Sequence, residues 1–178
     1  MTRRHPSSLP DAVVSIFIEV PAQRVWNEIT RTGKVQPAVV NTVLESDLEP
    51  GSRLRYYSKD RKRVFVVGEV LEIDPPKRLV HTYWFTTWKK GTPTVVTWEL
   101  TPEGNGCRVT ITHSGWTTEH EAAKETQGGW ESILSALKQL LETGRIPLKA
   151  RLMHDMMLWF AFLLPKTTRR EYADEHGW

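Results

Sequence analysis

"CRVTITHSGWTTEHEAAKETQGGWESILSALKQLLETG" (107–144) changes its period part-way along. In its first third apolar and polar residues alternate, so Val109, Ile111 and His113 share one side of an extended chain. From Glu125 the spacing is helical. Trp130, Ile133, Leu134, Leu137, Leu140 and Leu141 follow the i, i+3, i+4, i+7 rule, and Glu131, Lys138 and Gln139 take the other side. Gly144 supplies a stop. A strand running into one long amphipathic helix is the join from which the rest is read.

Upstream of it the period of two persists back to residue 42. "TVLESDLE", "SRLRYYSKD", "RVFVVGEVLEID", "KRLVHTYWFTTW" and "TVVTWELTPE" precede "CRVTITHSG", which makes six candidate strands. Between them lie Pro50-Gly51, Lys59–Lys62, Asp74-Pro75-Pro76, Lys90-Gly91 and Gly104-Asn105-Gly106, all good turn chemistry. Links this short imply antiparallel hairpins. Nearer the start, "AVVSIFIEV" (12–20) is β-branched and aromatic, a seventh strand. "PAQRVWNEIT" then reads as a helix, with Pro21 in its first turn and Val25, Trp26 and Ile29 at helical spacing. "TGKVQPAVVNT" is assigned a second short helix near Pro37. The order is β, α, α, six strands, α. The class is α+β: a seven-stranded curved antiparallel sheet with the long helix laid across one face. Space between a curved sheet and such a helix is a natural small-molecule site.

Composition narrows the function. A formal charge of +3 is too mild for a nucleic-acid partner, which calls for a concentrated basic stripe. The single Cys107 excludes an internal disulfide and fits a reducing, cytoplasmic setting. "MTRRHPSSLPD" carries no apolar h-region, so no signal peptide is expected, and residues 1–11 are expected to be disordered. No apolar run approaches the roughly 20 residues of a spanning helix.

The element order and several motifs resemble the SRPBCC superfamily, the START-like and birch-pollen-allergen-like helix-grip domains. Within it the chain is most similar to the homologues of the heat-shock-protein ATPase activator. The resemblance rests on "VPAQRVWNEIT" (20–30), "EPGSRLRYY" (49–57), "GEVLEIDPPKRLVHTYW" (68–84), "VTWELTPEGNGCRVTITHSGW" (96–116) and "GGWESILSALKQLLETG" (128–144). It implies a helix-grip domain over 12–144. Residues 32–48 lack the family's Trp-rich short-helix pattern, and the extension over 145–178 is additional to the usual domain. Three functions follow from the resemblance: binding of a small apolar molecule, a cyclase or dehydratase, and a chaperone-ATPase partner.

Strand parity places Leu79, His81, Tyr83 and Phe85 on one face of their strand, as it does Val109, Ile111 and His113 on theirs. Tyr56, His81, Tyr83, Trp98, His113, Trp130 and Leu134 are therefore the candidate ligand-binding residues. His81 and His113 read either as polar contacts to a ligand or acid–base groups, or as core histidines bonded to backbone or water. No catalytic residue is assigned. Glu69 and Glu72 differ in parity and read as solvated charges. His113 and His120 straddle a strand-to-helix break, and there is no CxxC or HExxH, so neither metal nor cofactor is expected. Cys107 has no paired base in sequence.

The tail "IPLKARLMHDMMLWFAFLLPKTTRREYADEHGW" has Pro147 and Pro165 as helix boundaries over 148–164. Its run Met156–Leu164 is apolar all round, so it needs covering on several sides. The surface that covers it is its own domain, a second copy meeting Leu158, Trp159 and Phe162, a lipid headgroup layer reached as a peripheral membrane contact, or a bound ligand.

Overall fold

The computed structural model describes residues 8–89, 91–118, 123–148, 152 and 163–178. The elements are β1 (Ala12–Ile18), α1 (Ala22–Ile29), β2 (Val35–Gln36), β3 (Thr42–Glu45), β4 (Arg53–Tyr57), β5 (Val64–Asp74), β6 (Arg78–Phe85), β7 (Thr94–Glu103), β8 (Gly106–Ser114) and α2 (Ala123–Thr143). A single 3-10 turn at Lys166–Thr168 then leads into α3 (Arg170–Glu175). The strands form one curled antiparallel sheet in the order β1-β8-β7-β6-β5-β4-β3-β2. All six strands read from the period of two are present, and β1 closes the far edge by pairing with β8 from Ala12↔His113 to Ile18↔Cys107.

Two expectations need correcting. The sheet has eight strands rather than seven, and the second short helix after α1 is replaced by the two-residue β2 and a turn. The physical reason lies in Gln36. Its buried Nε2 donates to the carbonyls of Glu28, Ile29 and Arg31, at and just beyond the C-terminal end of α1. Segment 32–42 thus finishes the first helix instead of building another. Val40 and Asn41 then take positive φ of 54° and 53°, which turns the chain back into β3.

The main core lies between α2 and one face of the sheet, called the inner face here. Leu54, Val66, Val70, Leu79, Val96, Trp98, Leu100, Val109 and Ile111 come from the strands. Trp130, Leu134 and Leu137 come from α2, while Val25, Trp26 and Ile29 of α1 close one side. Each large apolar side chain removed from water contributes about 1.5–3 kcal/mol before entropy is charged against it.

The outer face carries a second, smaller core that the sequence did not announce. Val43, Tyr57, Val64 and Val67 point away from α2 and pack with Ala173 of α3, flanked by Trp84 and Trp178. The tail is bonded to the sheet there. Arg170 N–H donates to the Lys62 carbonyl at 3.1 Å, Arg63 Nη1 donates to Thr168 Oγ1 at 2.6 Å, and the Arg170 guanidinium lies 5.4 Å from the Tyr57 ring centroid. Arg55 is buried beneath α3, where its Nη1 meets Asp174 Oδ1 at 2.6 Å and Tyr57 Oη at 3.0 Å. Hydrogen bonding to Arg55 holds the Asp174 carboxyl below its usual range. Asp174→Ala is expected to cost about 2 kcal/mol in urea denaturation, because it strands a buried guanidinium whose Nε and Nη2 already lack partners. Arg55→Met in the same chain should recover most of that loss.

Most of 148–164 lies outside the described residues, including Leu158, Trp159 and Phe162. Of its described residues, Leu148, Leu152 and Leu163 are exposed, while Leu164 packs on the main core. At the other end, residues 1–7 lie outside the described residues, and Leu9 N–H donates to the Trp116 carbonyl at 2.9 Å.

Candidate functional site

Cross-strand register gathers the candidate residues into rows on the inner face. Leu79, Trp98 and Ile111 are direct neighbours across β6, β7 and β8, and His81, Val96 and His113 form the next row. Tyr56 stands on β4 opposite Val66, which in turn faces Phe85. Helix α2 lowers Trp130 and Leu134 onto these rows. Tyr56, Trp98, Trp130 and Leu134 belong to the main core, with Tyr83 packed against it, and Tyr83 lies 5.0 Å from His113 and 5.9 Å from Trp130, centroid to centroid. Trp98 meets Trp130 edge-on at 5.9 Å. His81 is buried too, its ring 6.4 Å from that of Tyr83. All seven residues face the same interior.

The two histidines are not equivalent. An indole N–H only donates, so the 2.9 Å contact from Trp130 Nε1 makes His113 Nδ1 an acceptor. Its Nε2 then carries the proton and donates to Thr94 Oγ1 at 2.7 Å, and the Thr94 hydroxyl donates onward to the Tyr83 carbonyl at 2.9 Å. His113 therefore links α2, β7 and β6, and both ring nitrogens are used. It fits the core-histidine reading, but with the side chains of Trp130 and Thr94 as its ring partners in place of the expected backbone or water. Thr94, which completes the chain, escaped sequence reading because a threonine at a strand start is unremarkable until its partner is known.

His81 has spare capacity. Nδ1–H donates to the Thr82 carbonyl at 2.8 Å, which leaves Nε2 as an acceptor. Among the described residues no hydrogen bond reaches Nε2, nor the hydroxyls of Tyr56 and Tyr83. Burial pushes the His81 imidazolium down to about 4, and it raises both phenols well above their ordinary value, the Tyr56 ring adding to the effect on Tyr83. All three groups are thus neutral at physiological pH.

The His81 shift predicts a pH dependence of stability. The unfolded imidazole protonates near 6.5 and the folded one near 4, so acid favours the unfolded chain between these values. Stability should be intact above 6.5 and fall as the pH drops toward 4, by up to about 3 kcal/mol. His81→Gln should flatten this part of the curve. Equal slopes in both proteins between pH 6.5 and 5 would contradict the assignment.

One end of the inner face is incompletely covered. Tyr83 and Phe85 sit on it yet remain half-buried, as does Trp88 just beyond β6. Trp88 approaches Tyr83 at 5.8 Å and Trp116 at 5.5 Å. It was missed in the sequence because the strand was read through Trp88, which put it on the face opposite Tyr83, whereas β6 ends at Phe85. The remaining motifs settle simply. Glu69 and Glu72 are exposed, and Glu72 pairs with Arg78, which also holds Glu99. Cys107 is buried, and desolvation keeps its thiol protonated. Among the described residues no group of side chains is arranged to hold a metal, and His120 lies outside them. A separate hollow of about 370 Å³ opens near β3 and β4, where Glu45 and Asp47 alternate with Arg53 and Arg55. Its charges largely answer one another, Glu45 facing Arg61 and Arg55 facing Asp174.

This architecture has close parallels among solved structures. A Mesorhizobium loti protein superposes with a TM-score of 0.64 at 23% identity, over 77% of this chain and 100% of its own. An HSP90 activator from Plasmodium falciparum does so at 0.60 and 20% identity, over 74% and 95%. The Aha1 dimer from Colwellia psychrerythraea gives 0.62 at 18% identity, over 77% and 99%. At such identities the likeness establishes the fold. No curated protein matches by sequence. The family model described as activator of Hsp90 ATPase homolog 1-like protein matches residues 19–142, the stretch from the end of β1 to the end of α2. No helix among the described residues is long and apolar enough to cross a membrane. With its sheet, its gripped helix and the sequence between them all accounted for, the chain belongs to the family of Hsp90 ATPase activator homologue 1-like proteins, of the SRPBCC type.

Proposed function

We propose that this protein binds a small apolar or amphipathic molecule between the inner face of the sheet and α2. The observation that carries the reading is the spare bonding capacity of His81 Nε2 and the Tyr56 and Tyr83 hydroxyls on an otherwise apolar face. Interior polar groups are normally satisfied by the protein itself, so groups left over favour a partner from outside. The half-buried aromatics Tyr83, Phe85 and Trp88 favour an approach at their end of the sheet. Burial of apolar surface would supply affinity and the three polar groups would set orientation.

Native mass spectrometry of freshly purified protein tests this. A retained species of a few hundred daltons, lost on denaturation, is the expected result. Bare protein at every collision energy, together with no thermal shift from a panel of apolar compounds, would refute it.

A further inference from the structure

The donor and acceptor inventory of this face constrains what it accepts. The only Lys or Arg among the buried described residues is Arg55, which lies on the outer face against Asp174. The inner face thus has no cation among its buried described residues. A carboxylate drawn into it would exchange its hydration for two neutral hydroxyl donors, with no counter-charge among the buried described residues. His81 adds a second constraint. Because its Nδ1–H is committed to the Thr82 carbonyl, Nε2 can only accept. The tyrosine hydroxyls of Tyr56 and Tyr83 donate or accept as required. A partner must therefore bring at least one donor and no negative charge.

Resting on the ligand-binding reading above, we infer that the site selects neutral, hydroxyl-bearing apolar molecules and rejects the corresponding carboxylates. The ligand hydroxyl donates to His81 Nε2 and accepts from Tyr56 or Tyr83. A pure hydrocarbon of the same shape is accepted less well, because it leaves Nε2 and the two phenols unpaired.

Three probes with one skeleton test this on the full chain near neutral pH: 2-naphthol, naphthalene and 2-naphthoate, followed by calorimetry or by quenching of tryptophan emission. The expected order is naphthol, then naphthalene, then naphthoate, with naphthol ahead of naphthoate by about tenfold or more. His81→Phe should erase most of the advantage of naphthol over naphthalene. Should that variant fail to fold, the order in the wild-type protein still decides. Naphthoate binding as tightly as naphthol would overturn the selectivity while leaving a binding site in place. Failure of all three probes to bind would overturn the site together with its selectivity.

Discussion

Gly68→Ala is expected to cost about 4 kcal/mol or more, enough to leave little folded protein. Gly68 sits in β5 opposite Leu54 of β4, where β5 and β6 approach more closely than a regular ladder allows. A Cβ built there would overlap the carbonyl oxygen of Thr82. That obstacle is backbone of a central strand, so no side-chain rotation relieves it. The neighbouring Glu69 N–H is diverted to Thr82 Oγ1 at 2.8 Å, and the β5–β6 register shifts between Val70 and Glu72. The missing side chain is thus part of how the sheet bends around α2. Gly128 gives the opposite sign. It lies within α2 with nothing near its Cβ position, so Gly128→Ala should stabilise by about 0.5–1 kcal/mol. Urea denaturation of the two variants measures both. A Gly68→Ala protein as stable as the wild type would show that β5 and β6 do not meet this closely.

Trp130→Ala should cost about 4 kcal/mol. The indole is buried where α2 meets the sheet, edge-on to Trp98 and within 6 Å of Tyr83 and His113. Its loss removes packing and also the hydrogen bond from its indole N–H to His113 Nδ1. Trp130→Phe separates the two contributions. It keeps a ring but not the N–H, and should cost about 1–3 kcal/mol, the usual penalty for losing a buried hydrogen bond. Thr94→Val, at the other end of the same chain of bonds, should be strongly non-additive with Trp130→Phe, since each breaks a network the other has already weakened. Full additivity in a double-mutant cycle would show that His113 does not couple them.

How far the sequence could be read depended on the range of the forces involved. The six strands from Thr42 to Ser114 were legible because turn chemistry is local and a period of two survives whatever packs above it. Helix α2 was legible from its apolar stripe for the same reason. Parity alone also grouped His81 with Tyr83 on one face of their strand and His113 with Val109 and Ile111 on one face of theirs. The segment around Gln36 misled because its side chain answers carbonyls of the preceding helix, a demand invisible within the segment itself. Helix α3 was missed because six residues, REYADE, carry too little pattern and because Arg55 meets Asp174 across more than half the chain. The different roles of His81 and His113 were unreadable for a related reason. Residue type and parity are the same, and only the donors reaching each ring, Trp130 for one and none among the described residues for the other, set them apart.

The outer-face core changes where this protein can be cut. The family match ends at residue 142, and a shorter chain stopping there would contain every described strand, α1 and all but the last residue of α2. It would also strip the cover from Val43, Tyr57, Val64 and Val67 and leave the Arg55 guanidinium without Asp174. A central β-sheet with an apolar patch on its bare side is a template for clumping. Trimmed to what its relatives share, the molecule would keep its architecture on paper and lose its solubility in the tube. Residues 163–178 are therefore a fitted back plate, and any dissection of the domain should carry them along.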